Sequence, residues 1–450
     1  MEAFFGSIWW LIISLGILVT FHEFGHFWVA RRFGVKVERF SVGFGKALWK
    51  REARDGTVYQ IAAIPLGGYV KMLDERESSV PVAEPERAFN RQPLGARVAI
   101  VAAGPVFNLI LCLGLLWLMF LIGKPEFLPL VGRSEGIAAE AGIREGDRIV
   151  SVAGKQSDTW THATLSLALA ATDRRPVELV VADETGQSRT VTLPLQRLDS
   201  DFEEVRVLFE VGLIPKQRLL PAVIGTVMPD SAAAEAGLQA GDRLLAIDGK
   251  SVEWFDQVGP LVQNAMNRGS WLSLRIEREG QILDREIQPK QVVDDSGERW
   301  LLGVAPAPHR AAYDTVLRHG PIAAIGASIT ETGRLTSETL SMLWRMITGR
   351  ASLQNLSGPI SIAQYANVSA QLGVAWFLSF LALLSLSLAI VNMLPIPILD
   401  GGHLLYYFIE WVKGSPISER MLAAGQFVGL AMLAGLMGLA FYNDLLRLFG

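Results

Sequence analysis

The chain has 450 residues, of which 50% are apolar and only 19% are charged, and its mean hydropathy is +0.31. These values indicate an integral membrane protein with soluble parts, and the length predicts several domains. The net charge of −4 argues against a nucleic-acid partner. The single cysteine, Cys112, excludes an intrachain disulfide.

Four apolar segments are long enough to cross a bilayer, at residues 4–30, 98–123, 372–399 and 421–442. The first segment lacks a basic start and a small-x-small cleavage site, which argues against a cleaved signal peptide. Lysine and arginine are abundant between the first two segments, so this loop is predicted to be cytoplasmic. The termini and the long stretch 124–371 then face the opposite side of the membrane.

The first span contains His22-Glu23-Phe24-Gly25-His26. Residues four apart share one face of a helix, so His22 and His26 can bind one metal ion while Glu23 acts as a general base. Gly25 is expected to keep the approach to the metal open. This spacing is typical of zinc proteases, although an accidental match near a helix end is the alternative. Arg31 follows His22 by nine residues, which places the metal roughly 13 Å inside the cytoplasmic boundary.

The third span ends in a segment with two prolines and a carboxylate, Asn392 to Gly402. Zinc needs a third protein ligand, and Asp400 is predicted at the same depth as the two histidines. Aspartate is also a favoured N-cap, so capping of the following helix is the alternative. Asn392, about two turns deeper, could hold substrate backbone or an oxyanion. The remaining histidines are interpreted as surface or structural residues: His162, His309, His319 and His403.

Residues 40–72 of the first loop are predicted to form short β segments with a turn around Gly67 and Gly68. They are too apolar for an ordinary loop, so a re-entrant hairpin lining the active site and a loop anchored at the interface are about equally favoured. The edge of such a hairpin could pair with an unwound substrate. In the second span, Gly104 to Asn108 most simply serves helix packing, but Asn108 could also orient a ligand.

An internal repeat begins after residue 124. Residues 138–155 recur at 233–250, a constant offset of 95 positions, with a helix stopped by glycine, a Gly-Asp turn and a strand in each copy. The copies resemble PDZ domains, and hydrophobic-Gly-hydrophobic segments at 211–215 and 302–306 resemble the PDZ carboxylate loop. The modules could capture peptide ends or only exclude bulky substrates. An amphipathic segment at 322–347 then predicts a helix on the outer membrane surface or against the second copy.

The predicted fold class is an α-helical polytopic membrane protein with four transmembrane helices, a membrane-embedded β-hairpin and two inserted PDZ-like α+β domains. The predicted division is into a first half of the membrane core at 1–123, PDZ-like domains at 124–220 and 221–310, an amphipathic connector at 311–371 and a second half of the core at 372–450.

The two motifs and the tandem repeat together resemble the site-2 intramembrane metalloprotease family, over the whole chain and in the same order. The resemblance implies a Zn²⁺ site made by His22, His26 and Asp400, with Glu23 as the base. It places Asn392, Pro395 and Pro397 near the substrate, and Gly67 and Gly68 are assigned there with the hairpin. It further implies the bacterial inner membrane, periplasmic PDZ-like domains, and substrates that are single-span membrane proteins already cut in the periplasm, such as anti-sigma factors and leftover signal peptides.

Two other classes of function are compatible with parts of the sequence. A non-catalytic scaffold would use the PDZ-like domains to bind peptide ends and would hold no zinc. An ion or proton carrier would use Glu23 and Asp400 as a relay, but it leaves the histidine spacing and the repeats unexplained. A serine protease is disfavoured, because the sequence contains no Gly-x-Ser-x-Gly segment.

Overall fold

A computed structural model describes residues 2–76, 84–199, 202, 204–267, 269, 271–294, 297–309 and 311–449. The predicted domain boundary at residue 310 lies outside this range. The chain forms two compact units, one made of Met1–Pro125 with Val316–Gly450 and the other of Glu126–Thr315. The second unit is therefore an insertion between the two halves of the first.

The helices are α1 (Glu2–Arg32), α2 (Leu94–Ile122), α3 (Gly136–Glu140), α4 (Trp160–Thr172), α5 (Val207–Val211), α6 (Ala232–Glu235), α7 (Val258–Met266), α8 (Pro321–Ile347), α9 (Pro359–Leu372), α10 (Val374–Met393), α11 (Asp400–Lys413) and α12 (Glu419–Phe449).

The strands are β1 (Val37–Glu52), β2 (Val58–Met72), β3 (Lys124–Glu126), β4 (Val131–Ser134), β5 (Arg148–Val152), β6 (Lys155–Gln156), β7 (Pro176–Ala182), β8 (Ser188–Pro194), β9 (Leu213–Pro215), β10 (Ile224–Val227), β11 (Arg243–Ile247), β12 (Lys250–Ser251), β13 (Leu272–Arg278), β14 (Gln281–Ile287), β15 (Lys290–Asp294), β16 (Gly297–Leu301), β17 (Val304–Pro306) and β18 (Thr315–Leu317).

Among the described residues, four helices are long and apolar enough to cross a membrane: α1 from Phe4, α2, α10 and α12. The four predicted spans are therefore helices, although their bounds differ. The third ends at Met393 rather than at 399, because Pro395 and Pro397 in the following segment cannot continue a helix. The fourth begins at Glu419, close to the predicted start at 421, and extends beyond the predicted end at 442 to Phe449.

Strands β1 and β2 confirm β structure in the predicted loop segment, but the turn expected around Gly67 and Gly68 is wrong, because both residues lie within β2. Each strand is bent, so its two halves have different neighbours. Segment 37–42 pairs with 68–72 on one side and with 58–61 on the other. Segment 58–62 also pairs with 47–52. Gly43, with φ +92°, lies at the bend, where an added Cβ would be 2.9 Å from the Ala62 and Ile64 carbonyl oxygens. Segment 68–72 is consequently at one edge of this small sheet, and β2 packs against α1.

The predicted amphipathic helix exists as α8, and it packs against α2 and α10 of the first unit. Its small face is buried there, since Ala324 is 0% and Ser328 2% exposed. Thr332 Oγ1 lies 3.9 Å from Cys112 Sγ in the middle of α2. Periodicity identifies only the apolar stripe, which stays exposed at Ile322, Ile329 and Ile347. The packing face of α8 was therefore missed, because small residues carry no hydrophobic signal.

The two repeats in the second unit have matching topology. A two-stranded ladder joins β4 to β9 in the first copy and β10 to β17 in the second, and each copy adds a four-stranded sheet, β6-β5-β7-β8 or β12-β11-β13-β14. Each copy also has its own apolar core, with helix α4 or α7 packed into it. This arrangement supports the description of the copies as PDZ-like modules.

The repeated Gly-Asp turns have a structural purpose. The carboxylates of Asp147 and Asp242 are almost fully buried, and each pairs with an arginine of its own module, Arg189 or Arg278. Each also accepts a backbone hydrogen bond three residues back, 2.7 Å from Arg144 N and 2.8 Å from Gln239 N. The motif is therefore repeated because it fixes the turn before the central strand of each module.

Candidate metal centre

The structure brings His22 and His26 of α1 together with Asp400, the first residue of α11. His22 Nε2 lies 3.3 Å from His26 Nε2 and 3.2 Å from Asp400 Oδ2. His26 Nε2 lies 3.6 Å from Asp400 Oδ1. The three side chains are only 11%, 12% and 17% exposed. Asp400 is thus largely buried, and it is not the N-cap of α11, because that position is occupied by Leu399.

These distances fit a tetrahedral zinc ion. Zinc bonds of about 2.0–2.1 Å to histidine nitrogen and carboxylate oxygen require neighbouring ligand atoms about 3.3 Å apart. The separations of His22 Nε2 from His26 Nε2 and from Asp400 Oδ2 are close to that edge length, and His26 Nε2 lies 3.6 Å from the other carboxylate oxygen, Oδ1. Asp400 Oδ2 is buried and makes no hydrogen bond among the described residues, although it lies so close to a ring nitrogen. A carboxylate oxygen in that situation is suited to a cation, and this set leaves the fourth position of a tetrahedron open.

The segment between α10 and α11 positions Asp400. Its backbone lies directly on α11, where a Cβ on Gly401 would be 2.2 Å from Leu394 O and one on Gly402 would be 2.4 Å from Ile396 O. Ile398 has φ +96°, which is strained for a β-branched residue. Two glycines are therefore needed for the tight approach that carries the carboxylate to the histidines.

Helix α2 provides the surface on which the two imidazole rings lie. A Cβ on Gly104 would be 2.4 Å from His26 Nε2 and 2.7 Å from His22 Cε1, so only glycine leaves space for both rings. Gly25 has a packing role as well. A Cβ on Gly25 would be 2.5 Å from Ala103 O, so this glycine allows α1 to approach α2.

The centre opens into a cavity of about 630 Å³, lined by Glu23, His26 and Asp400 among others. Val70 of β2 lines the same cavity as Glu23. A Cβ on Gly68 would be 3.3 Å from Glu23 Cγ, so edge segment 68–72 runs past the prospective base. The hairpin therefore borders the site, as one of its two sequence interpretations requires.

The other predicted substrate residues are farther away. Gly67 lies against the Phe44 ring, and Pro397 lies against Gly429 of α12, where a Cβ would be 1.8 Å from Pro397 O. The described residues that line the cavity do not include Gly67, Asn392, Pro395 or Pro397. Their assignment to substrate stays a prediction.

Sequence reasoning missed several cavity residues. His403, interpreted as a surface or structural histidine, lines the cavity, and burial lowers its pKa. Arg97 at the start of α2 pairs with Glu410 of α11 at 2.5 Å and lies over the Tyr407 ring. The sequence could have indicated His403, because it follows Asp400 by three residues and residues three apart share a face of a helix.

Known proteins with similar sequences match this chain over nearly its whole length. Residues 10–436 match peptidase family M50. A protein of Xylella fastidiosa (strain 9a5c) named as a zinc metalloprotease is 52% identical over 447 residues, covering 99% of this chain and 100% of its own length. The regulator of sigma-E protease RseP of Escherichia coli (strain K12) is 43% identical over 452 residues, covering 100% of both chains.

A solved structure also overlaps with part of the chain. The PDZ domain of an SdrC-like protein from Listeria innocua is 20% identical and covers 20% of this chain and 97% of its own, with a TM-score of 0.17.

The family match and the full-length relatives agree with the chemistry of the centre, whose donor atoms suit zinc. They support the protease interpretation over a non-catalytic scaffold or an ion carrier. The chain therefore belongs to peptidase family M50, and it is a membrane-embedded zinc metalloprotease of the site-2 type.

Proposed function

We propose that this protein cleaves single-span membrane proteins within their transmembrane segments, at a zinc ion held by His22, His26 and Asp400. One observation carries the proposal. The ring nitrogens of two histidines and the carboxylate of Asp400 lie within ligand distance of one another, and both histidines belong to a helix that is apolar enough to cross a membrane.

Zinc bound at such a centre polarises the scissile carbonyl and lowers the pKa of a water toward about 7. Glu23, on the wall of the same cavity, accepts the proton of that water and passes it to the leaving amine. Val70 lines the cavity beside Glu23. Ile100 O, 2.8 Å from His26 Nδ1, holds the second imidazole. The chain thus supplies a base and two oriented ligands before any substrate arrives.

The edge of the β1–β2 sheet presents the substrate in this proposal. Segment 68–72 pairs with 37–42 on one side, and no described strand pairs with its other side. An unwound substrate segment that adds to this edge would run past Glu23, because Gly68 and Val70 both adjoin that side chain. Asn392, Pro395 and Pro397 remain proposed contacts on the substrate's other side.

The proposed substrates are anti-sigma factors trimmed in the periplasm and leftover signal peptides. The name of the E. coli relative, a regulator of sigma E, supports the first of these classes. The basic loop between the first two spans supports a cytoplasmic position for that loop, in the bacterial inner membrane. The PDZ-like modules then lie in the periplasm, and the metal lies near the cytoplasmic side.

Removal of the metal tests the proposed chemistry. Purified protein in detergent, stripped of metal by a chelator and dialysed, is expected to lose cleavage of a short single-span substrate, because the carbonyl and the water are then no longer activated. Added Zn²⁺ should restore cleavage and added Mg²⁺ should not, since the donor set includes two imidazoles. Zinc content and cleavage are measured on the same samples. Full cleavage by metal-free protein would contradict the proposal.

The inserted modules are proposed to exclude substrates that still carry a bulky periplasmic domain. Their removal is feasible, because β3 and β18, in which the chain leaves and re-enters the first unit, pair with each other. A variant that replaces residues 127–314 by a short flexible linker, and so keeps β3 and β18, is expected to cleave untrimmed substrate as fast as trimmed substrate. The intact protein is expected to cleave only the trimmed form.

The deletion experiment has an internal control. The same deletion combined with Glu23→Gln should cleave neither substrate, which shows that any new product comes from this active centre. If the deletion variant cleaves the trimmed substrate normally and still rejects the untrimmed one, the modules are not the filter.

A further inference from the structure

Asn108 is a fully buried polar residue in the apolar helix α2, with 0% of its surface exposed. A buried amide in an apolar span is costly unless hydrogen bonds satisfy it. Its side-chain nitrogen Nδ2 lies 3.2 Å from Nδ1 of His22. Its backbone oxygen accepts a hydrogen bond of 2.7 Å from Ser385 Oγ of α10. Asn108 is thus fixed between a third helix and one of the metal ligands.

The position of the proton on each imidazole decides whether its Nε2 can bind a metal. Nε2 of both histidines faces Asp400, so metal binding there requires the proton to be on Nδ1. His26 meets this condition, because a carbonyl oxygen, Ile100 O, lies 2.8 Å from its Nδ1 and can only accept. His22 needs an acceptor at the equivalent place, and the group within hydrogen-bond distance of its Nδ1 is the Asn108 amide.

The Asn108 amide can supply that acceptor. In the orientation described, Nδ2 faces His22 and Oδ1 is buried without a hydrogen-bond partner among the described residues. The two atoms of an amide exchange places when the group turns by half a rotation, and the two orientations have nearly the same shape. After that turn, Oδ1 accepts from Nδ1–H of His22. The Nε2 lone pair of His22 is then free for the metal.

We propose that Asn108 is a positioning residue, whose amide oxygen fixes the tautomer and ring orientation of His22 in the zinc-bound protein. The inference rests on the proposed ligand role of His22. Gly104, four residues earlier on the same face of α2, lies against both rings. One face of α2 therefore supplies both the space for the imidazoles and the hydrogen bond that orients one of them. Outer partners of this kind typically contribute 10–100-fold to metal affinity, roughly.

The test compares Asn108→Asp with Asn108→Leu in the full-length protein. Aspartate keeps an acceptor for Nδ1–H, so zinc affinity measured by competition with a chelator should stay within about threefold of the wild type. Leucine has no acceptor, and its zinc affinity should fall by roughly 10–100-fold. The visible absorption of the Co²⁺-loaded protein should change with leucine and be retained with aspartate. If the bulkier leucine prevents folding, Asn108→Ala replaces it in the comparison. Alanine also lacks an acceptor, so the same loss of zinc affinity is expected.

The control is Thr332→Val. This change removes a buried hydroxyl of α8 that lies against Cys112 of α2, and it should leave zinc affinity unchanged. If leucine and alanine lower thermal stability but leave zinc affinity unchanged, Asn108 is only a packing residue and the inference is overturned. An aspartate variant that loses zinc as severely as leucine overturns it too. A wild-type protein that binds no zinc refutes the proposed metal site itself, whereas tight wild-type binding with unaffected variants refutes only the role of Asn108.

Discussion

Replacing Glu23 by glutamine is expected to lower the cleavage rate by roughly 10²–10⁴-fold, which is the contribution that a positioned general base typically makes. Glutamine has nearly the same shape but cannot accept the proton of the attacking water. The metal ligands His22 and His26 stay in place, so zinc content should remain that of the wild type. Cleavage of a short single-span substrate and zinc content are measured on one preparation in detergent.

A matched control for this change is Glu52→Gln, at the exposed end of β1. It removes a carboxylate from the same unit without altering the cavity, so it should retain both zinc and cleavage. A Glu23→Gln variant that cleaves at the wild-type rate would show that another group takes the proton. A variant that loses zinc would show that Glu23 contributes to the metal site as well as to the chemistry.

Replacing Asp400 by asparagine is expected to lose both zinc and cleavage. The change removes the only negative charge among the three prospective ligands, and a neutral amide oxygen is a poorer zinc donor than a carboxylate. Zinc affinity should fall by more than the roughly 10–100-fold that loss of an outer partner causes. The affinity is measured by chelator competition, and the cleavage by the same substrate assay.

Asp74→Asn is the matched control, because Asp74 lines the same cavity but pairs with Arg76 rather than with the histidines. It should keep full zinc content. If Asp400→Asn retained zinc with wild-type affinity, the third ligand would have to be another group. His403, one turn further along α11, would then be the first candidate to replace, since it lines the same cavity.

Much of the architecture was predictable from local sequence patterns. A helix must present residues four apart on one face, so His22 and His26 identified a metal site without any tertiary information. Long apolar segments predicted the four candidate spans, and the offset of 95 residues predicted two modules of matching topology. Each of these signals is periodic or contiguous along the chain, and local physics therefore decides it.

The role of Asp400 was only partly predictable from the sequence. The sequence showed a carboxylate at a helix start near the end of an apolar span, and the predicted depth matched that of the histidines. The choice between metal ligand and helix cap depended on which groups surround it, and the structure shows the histidine nitrogens 3.2 and 3.6 Å away. The resemblance to a known family favoured the ligand, and packing of Gly401 against Leu394 explains how the residue reaches its place.

The sequence by itself thus determined the helical spans and the tandem modules. It also determined the paired histidines, the base beside them and the kind of metal that these histidines suit. Only the tertiary structure decided that Gly25 serves helix packing, that α8 lies along α2, that His403 and Arg97 border the cavity, and that Asn108 contacts His22. The reason is that these contacts join residues far apart in the chain. Small and polar residues carry no periodic signal of their own, and their partners are chosen by how closely helices can approach.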